Sequence, residues 1–204
     1  MSKFYVVALT GRSGTGKSFA SEYLAKLGVP IIDGDDVARE VVEKGMPCLD
    51  ALVKEFSDEI LNEDGTLNRR KLADICFPDQ KKKRRLDEIT HPYIIKRMVE
   101  YFDVLHESGE KYCVVEAAAL IESGLYAVCD KTIMVTADEE KIIKRIMKRD
   151  GLTMQQAQSR IDGQMDEEAV KQVSEVIITN NATKEEFCAK LKQVKSQLDR
   201  WFNE

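Results

Sequence analysis

Apolar residues along this chain fall into two alternating patterns. Short unbroken runs at Phe4-Tyr5-Val6-Val7-Ala8-Leu9, Val29-Pro30-Ile31-Ile32, Tyr112-Cys113-Val114-Val115, Thr132-Ile133-Met134-Val135-Thr136 and Val176-Ile177-Ile178 read as strands buried on both faces. Between them the apolar residues recur three or four apart. Phe19, Tyr23, Leu24 and Leu27 mark a helix that stops at Gly28, and Phe187, Leu191, Val194, Leu198 and Trp201 mark a stripe running to the C-terminus. Strands alternating with helices predict a parallel α/β sheet of five strands.

From Pro47 to Phe102 the strand pattern disappears. Helical patches take over: Leu49, Leu52, Val53 and Phe56; then Leu72, Ile75 and Cys76; then Ile94, Ile95, Met98, Val99 and Phe102. Turns at Asp64-Gly65 and Phe77-Pro78-Asp79 separate them. A further helix follows Asp33-Gly34-Asp35-Asp36, with Val37, Val41 and Val42 on one face and Gly45 past its end. His91-Pro92 reads as a helix start with Pro92 at the first helical position. About sixty mostly helical residues are long for a simple crossover. The segment is therefore expected to be a helical lobe inserted in the core.

Chemistry enters at Gly11-Arg12-Ser13-Gly14-Thr15-Gly16-Lys17-Ser18, which fits G-x-x-x-x-G-K-[ST] at every fixed position. The motif follows a buried strand and opens a helix, the context that gives it meaning. Glycines let successive backbone N–H groups curl round an anion, and the helix adds its N-terminal partial charge. Gly11, Gly14, Thr15, Gly16, Lys17, Ser18 and the adjoining Phe19 are the candidate nucleotide-binding residues. Lys17 is expected to reach the β- and γ-phosphates of ATP, and Ser18 to ligate Mg²⁺. The fold class is accordingly α/β, a P-loop NTPase-type parallel five-stranded sheet flanked by helices.

Composition narrows the setting. Of 204 residues, 43% are apolar and 33% charged, with only 4 prolines, so extended disorder is not expected. A net charge of −5 argues against nucleic acid as a partner. Cys48, Cys76, Cys113, Cys129 and Cys188 are scattered, odd in number and without a C-x-x-C pair, the usage of reduced thiols. With no signal pattern and no long apolar span, a cytoplasmic protein away from membranes is expected, a monomer or weak homo-oligomer.

Carboxylates and arginines supply the remaining candidates. Asp33-Gly34-Asp35 closes a strand at the edge where open α/β sheets bind ligands. Asp33 is a candidate to hold a substrate hydroxyl and receive its proton, with Asp35 supporting it; plain capping of the next helix is the alternative. Glu116 ends the strand expected beside the first, where an acidic residue can touch the Mg²⁺ shell. Arg145 and Arg149 are one turn apart, with Arg160 further on, and a guanidinium fork can grip a transferring phosphoryl group. A solvated face paired with Glu139 and Glu140 is the competing reading. Lys81-Lys82-Lys83-Arg84-Arg85 reads as a solvated face.

Taken in order, these stretches resemble the dephospho-CoA kinase family over nearly the full chain. The likeness rests on Leu9 to Ser18, Asp33-Gly34-Asp35 with Val37-Ala38-Arg39, and Asp64-Gly65-Thr66-Leu67-Asn68-Arg69. It continues through His91-Pro92, Glu116 to Leu125, Arg145, Arg149-Asp150-Gly151-Leu152, Arg160-Ile161, Gln164-Met165 and Asn180. Glu116 stands where the family usually has aspartate, while Ala118 and Asp166 replace prolines. The resemblance implies transfer of the γ-phosphoryl of ATP to the ribose 3′-hydroxyl of dephospho-CoA, the final step of CoA biosynthesis. Another small-molecule kinase of this build, acting on a nucleoside monophosphate or sugar acid, is the alternative. It also implies catalytic roles for Asp33, Lys17, Arg145 and Arg149, and substrate binding by Asp33, Asp35, His91 and Glu116. The expected layout is one kinase domain, with a core at about 1–36, 110–138 and 168–204. A CoA-binding lobe is expected at about 37–108 and a lid at about 139–167.

Overall fold

The structure is a computed structural model that describes residues 3–116, 128–164 and 166–203. Its strands are β1 (Tyr5–Thr10), β2 (Ile31–Asp33), β3 (Tyr112–Glu116), β4 (Lys131–Thr136) and β5 (Val176–Thr179). They form a single sheet, parallel throughout, in the order β2-β3-β1-β4-β5. β1 lies at the centre with neighbours on both edges, which is why its residues from Val6 to Thr10 are all buried. The chain builds one side of the sheet with β2 and β3 and the other with β4 and β5. The loop leaving β1 therefore opens where the strand order reverses, the place such sheets bind ligands.

Alternation along the strands sends Val7, Leu9, Val114, Ile133, Val135 and Ile178 to one face. There they meet Ala20 and Leu24 of α1 (Lys17–Lys26), and Phe187, Leu191, Val194, Leu198 and Phe202 of the last helix, α9 (Lys184–Asn203). Tyr5 stacks on Phe202 with ring centroids 4.5 Å apart, tying the end of the chain to its beginning. The stripe read from the sequence is thus the face that buries, with Trp201 packed at its margin.

Three helices connect β4 to β5: α6 (Glu139–Asp150), α7 (Met154–Asp162) and α8 (Glu167–Gln172). Ile142, Ile143 and Ile146 of α6 pack on Ala157 and Ile161 of α7 as a separate apolar cluster. Gly151 ends α6 at φ 67°, and Thr153 opens α7 with a reciprocal capping box to Gln156. Asp166, standing where the resemblance expected proline, caps α8 through the Glu168 N–H at 3.0 Å.

Gly34–Asp103 forms a compact unit of its own, and the remainder of the chain forms a second. The helical unit holds α2 (Gly34–Glu40), α3 (Pro47–Phe56), a 3-10 turn (Asp58–Ile60), α4 (Arg69–Cys76) and most of α5 (Gln80–Glu107). Leu49, Leu52, Phe56, Ile60, Leu72, Ile94 and Met98 are buried there. Glu40 takes bonds from Arg97 and, at 2.8 Å, from the Tyr101 hydroxyl, and these donors hold its carboxyl below the usual range. The Lys81–Arg85 run is exposed along α5.

Two local expectations are corrected. Pro92 does not start a helix; it lies inside the 28-residue α5. Proline removes one i→i−4 bond, here the one to the Glu88 carbonyl. The helix continues because Ile94, Met98 and Phe102 beyond it are buried, an anchor worth more than one lost bond. Likewise α2 stops at Glu40, and Val41 and Val42 are buried in the turn that follows. The five cysteines carry free thiols, as their usage predicts.

Leu191 is fully buried between α9 and the sheet. Leu191→Ala should lower unfolding stability by about 2–5 kcal/mol. A urea titration checks this: the midpoint should fall with unchanged slope.

Candidate active site

The loop between β1 and α1 is held in place by its neighbours. Gly14 lies at φ 83°, and a Cβ added there would sit 3.0 Å from both the Ile142 carbonyl oxygen and Ile146 of α6. Gly16 lies at φ 100°, and a Cβ there would press into the Asn180 side-chain amide. Thr15, buried beneath the loop, donates its hydroxyl to the Arg12 carbonyl at 2.8 Å. Glycine is required at both positions by torsion and by space.

Carbonyls of the loop are taken by two side chains from distant elements. Arg145 of α6 donates to Gly14 O at 3.2 Å, Thr15 O at 3.4 Å and Asn180 O at 2.9 Å. Asn180, just past β5, donates its amide to Thr15 O at 2.7 Å and its backbone N–H to Thr136 at 2.8 Å. Arg149 reaches the Ser13 hydroxyl at 3.0 Å and also grips Asp150 through two bonds. Arg160 meets the same Asp150 at 2.7 Å, and Gln164 accepts the Ser13 N–H at 3.0 Å. Arg12 pairs with Glu167 at 3.5 Å, and its Nε is buried with no partner among the described residues.

On the other side of the loop three donors converge on Glu116. Lys17 Nζ and Ser18 Oγ each lie 2.8 Å from its Oε1, and the Ser21 hydroxyl donates to Oε2. Glu116 is 6% exposed. Burial alone pushes its pKa up; the bonds from Lys17 and Ser21, the lysine charge and the Ser18 bond outweigh it and hold the carboxyl below its usual range. Parallel register sets Glu116 beside Leu9 of β1 on one side and Asp33 of β2 on the other. Lys17, Ser18, Glu116 and Asp33 are therefore clustered at the C-terminal ends of the strands, with the cation and hydroxyl that phosphoryl-transfer chemistry calls for. Ser18 and Glu116 offer a hydroxyl and a carboxylate 2.8 Å apart, hard oxygen donors suited to Mg²⁺.

The family model for dephospho-CoA kinase matches residues 5–186. This chain belongs to the dephospho-CoA kinase family. It is 40% identical to the dephospho-CoA kinase of Listeria innocua, over 97% of each chain. Among solved structures it resembles the dephospho-CoA kinase of Campylobacter jejuni, with a TM-score of 0.72 and 27% identity over 96% of this chain and 97% of that one. A Thermus thermophilus protein superposes with a TM-score of 0.81 at 26% identity, over 96% of this chain and 98% of that one.

Other family positions fall in several places. Asp35 is in the first turn of α2 and His91 on α5, 3.9 Å from Asp87, both in the helical unit. The Phe19 ring stacks with Tyr23 and meets Phe187 at a tilt, with centroids 6.1 and 5.8 Å away. Met165, Ala118 and the stretch after Glu116 to Leu125 lie outside the described residues. Among the described residues no cluster of three or more His, Cys, Asp or Glu could hold a metal ion, and no helix is long and apolar enough to cross a membrane.

Two contributions escaped sequence reading. Arg145 ends on backbone carbonyls, which its helical spacing did not reveal. Ser21 belongs to no motif, although it is a serine on the face of α1 that also buries Ala20 and Leu24. Its position three residues after Ser18 was the available signal.

Gly16→Ala should weaken ATP binding about 10- to 100-fold, from positive-φ strain and displacement of Asn180. Calorimetric titration with ATP checks this, and a wild-type affinity would show that Asn180 yields without cost.

Proposed function

We propose that this protein transfers the γ-phosphoryl group of ATP to the ribose 3′-hydroxyl of dephospho-CoA, giving CoA and ADP. The observation that carries the phosphotransfer is the convergence of Lys17 and Ser18 of the phosphate loop on Glu116, beside Asp33. Family membership carries the identity of the acceptor.

In the reaction the acceptor oxygen forms a bond to the γ-phosphorus, and the bond from that phosphorus to the β–γ bridging oxygen breaks, leaving ADP. The transition state is loose, so positioning and charge neutralisation do most of the work. Loop N–H groups and Lys17 bind the phosphates, and Lys17 leaves Glu116 to do so. Asp33 orients the 3′-hydroxyl and takes its proton late in the transfer. Ser18, supported by Glu116, would hold Mg²⁺, which when bound supplies positive charge against the β- and γ-oxygens. Arg145 keeps the loop in shape, while Arg149, at the surface beside Ser13, is placed to meet the transferring group once it releases Asp150. Asp35 and His91 of the helical unit are assigned to the acceptor, and α6 to α8 to a lid that excludes water.

ATP consumption with and without dephospho-CoA tests the assignment. ADP should form in step with CoA only when dephospho-CoA is present, and phosphorus NMR should show a new 3′-phosphate. Equal ATP use in both samples would overturn the acceptor. Lys17→Ala should abolish transfer and also lower the melting temperature, because the buried Glu116 carboxylate loses its counter-charge.

Asp33→Asn separates catalysis from helix capping, since asparagine caps about as well as aspartate. Turnover should fall about 10²-fold, with melting temperature and ATP affinity unchanged. Wild-type turnover would make Asp33 a cap.

A further inference from the structure

The contacts of Glu116 raise a question that the phosphotransfer reading leaves open. Lys17 and Ser18 both bind Oε1, and both are wanted by the nucleotide. Once Lys17 turns to phosphate, Oε1 loses its charged donor and keeps only the Ser18 hydroxyl, whose oxygen the metal also wants. A buried carboxylate short of donors is costly and has three side-chain torsions through which to turn away. The third described donor is Ser21, whose hydroxyl binds the other oxygen, Oε2.

Ser21 is suited to that task. It is buried, and it sits one turn beyond Ser18 on a rigid helix. Its single proton has two acceptors within reach, Oε2 of Glu116 and the Ser18 carbonyl oxygen at 2.9 Å. The charged carboxylate is the stronger acceptor. A serine bonding only its own helix carbonyl is common, so the contact with Glu116 has to be tested against that simpler role.

We propose that Ser21 is a positioning residue for phosphoryl transfer: it anchors Oε2 of Glu116, so that Oε1 stays aimed at the Ser18 hydroxyl while Lys17 and Ser18 engage the nucleotide. The proposal rests on the phosphotransfer reading of this site. It ties the usefulness of Ser21 to the length of the carboxylate. Aspartate at 116 carries the same carboxylate on a stem one methylene shorter, which draws its oxygens back from Ser18 and Ser21, so the anchor should matter only for glutamate.

The test uses the full chain as wild type, Ser21→Ala, Ser21→Thr, Glu116→Gln, Glu116→Asp and the Ser21→Ala/Glu116→Asp double variant. ATP affinity is measured by calorimetry with and without Mg²⁺, and turnover with dephospho-CoA. In Ser21→Ala, metal-free ATP affinity should stay within about twofold of wild type. The gain in affinity on adding Mg²⁺, and kcat, should each fall about tenfold, the scale of one hydrogen bond to a charged group. Ser21→Thr, which keeps the hydroxyl, should restore both. In the aspartate background, loss of the hydroxyl should change neither. Additive losses in the double variant, or a wild-type Mg²⁺ response in Ser21→Ala, would overturn the proposal. Wild-type behaviour of Glu116→Gln would instead remove Glu116, and Ser21 with it, from the reaction. Absence of dephospho-CoA-dependent turnover in the wild type would overturn the phosphotransfer reading; the Mg²⁺ response of ATP binding reads the anchor independently of that outcome.

Discussion

A backbone that wraps an anion cannot also satisfy itself, and this protein is arranged around that conflict. N–H groups needed for phosphate are unavailable to a helix or sheet ladder, so the loop from Gly11 to Gly16 lacks the bonding that stabilises ordinary structure. Its support comes from elsewhere. Arg145 and Asn180 take its carbonyls, and Ile142 and Ile146 close off the space beside Gly14. These supports arrive from α6 and from the end of β5, far along the chain. The sheet order, with β1 between β3 and β4, is what brings them to the loop.

The same geometry gives the two halves of the site different electrostatic characters. Lys17 and Glu116 are a mostly buried pair whose charges answer one another, and the Ser18 and Ser21 hydroxyls complete the carboxylate's bonding. The cluster of Arg149, Asp150 and Arg160 is largely exposed, and such pairs exchange partners at little cost. One side holds groups in place. The other keeps its arginines on an exposed carboxylate that holds them loosely.

Much of the fold was legible because its signals are local. A strand buried on both faces is a continuous apolar run, and a helix lying on a sheet is a stripe, so all five strands and the Phe187–Leu198 face could be read directly. The errors came where a local rule met a stronger distant interaction. Pro92 signals a helix start, yet burial of Ile94, Met98 and Phe102 keeps α5 intact through it. Arg145 and Arg149 share helical spacing, yet one ends on loop carbonyls and the other on a surface carboxylate, a difference created by what faces each turn of α6.

By itself the sequence determined the phosphate-loop chemistry, because Gly11 to Ser18 must have those residue types at those spacings to curl around an anion and meet its charge. It also determined the parallel α/β class, through periodicities that depend only on near neighbours. Only the tertiary structure decided which carboxylate answers Lys17, and that Ser21 holds that carboxylate's second oxygen. Glu116 lies 99 residues from Lys17 along the chain. It reaches Lys17 because β3 pairs with β1 in a register that sets Glu116 opposite Leu9, one residue before β1 gives way to the loop, and register is a property of the assembled sheet.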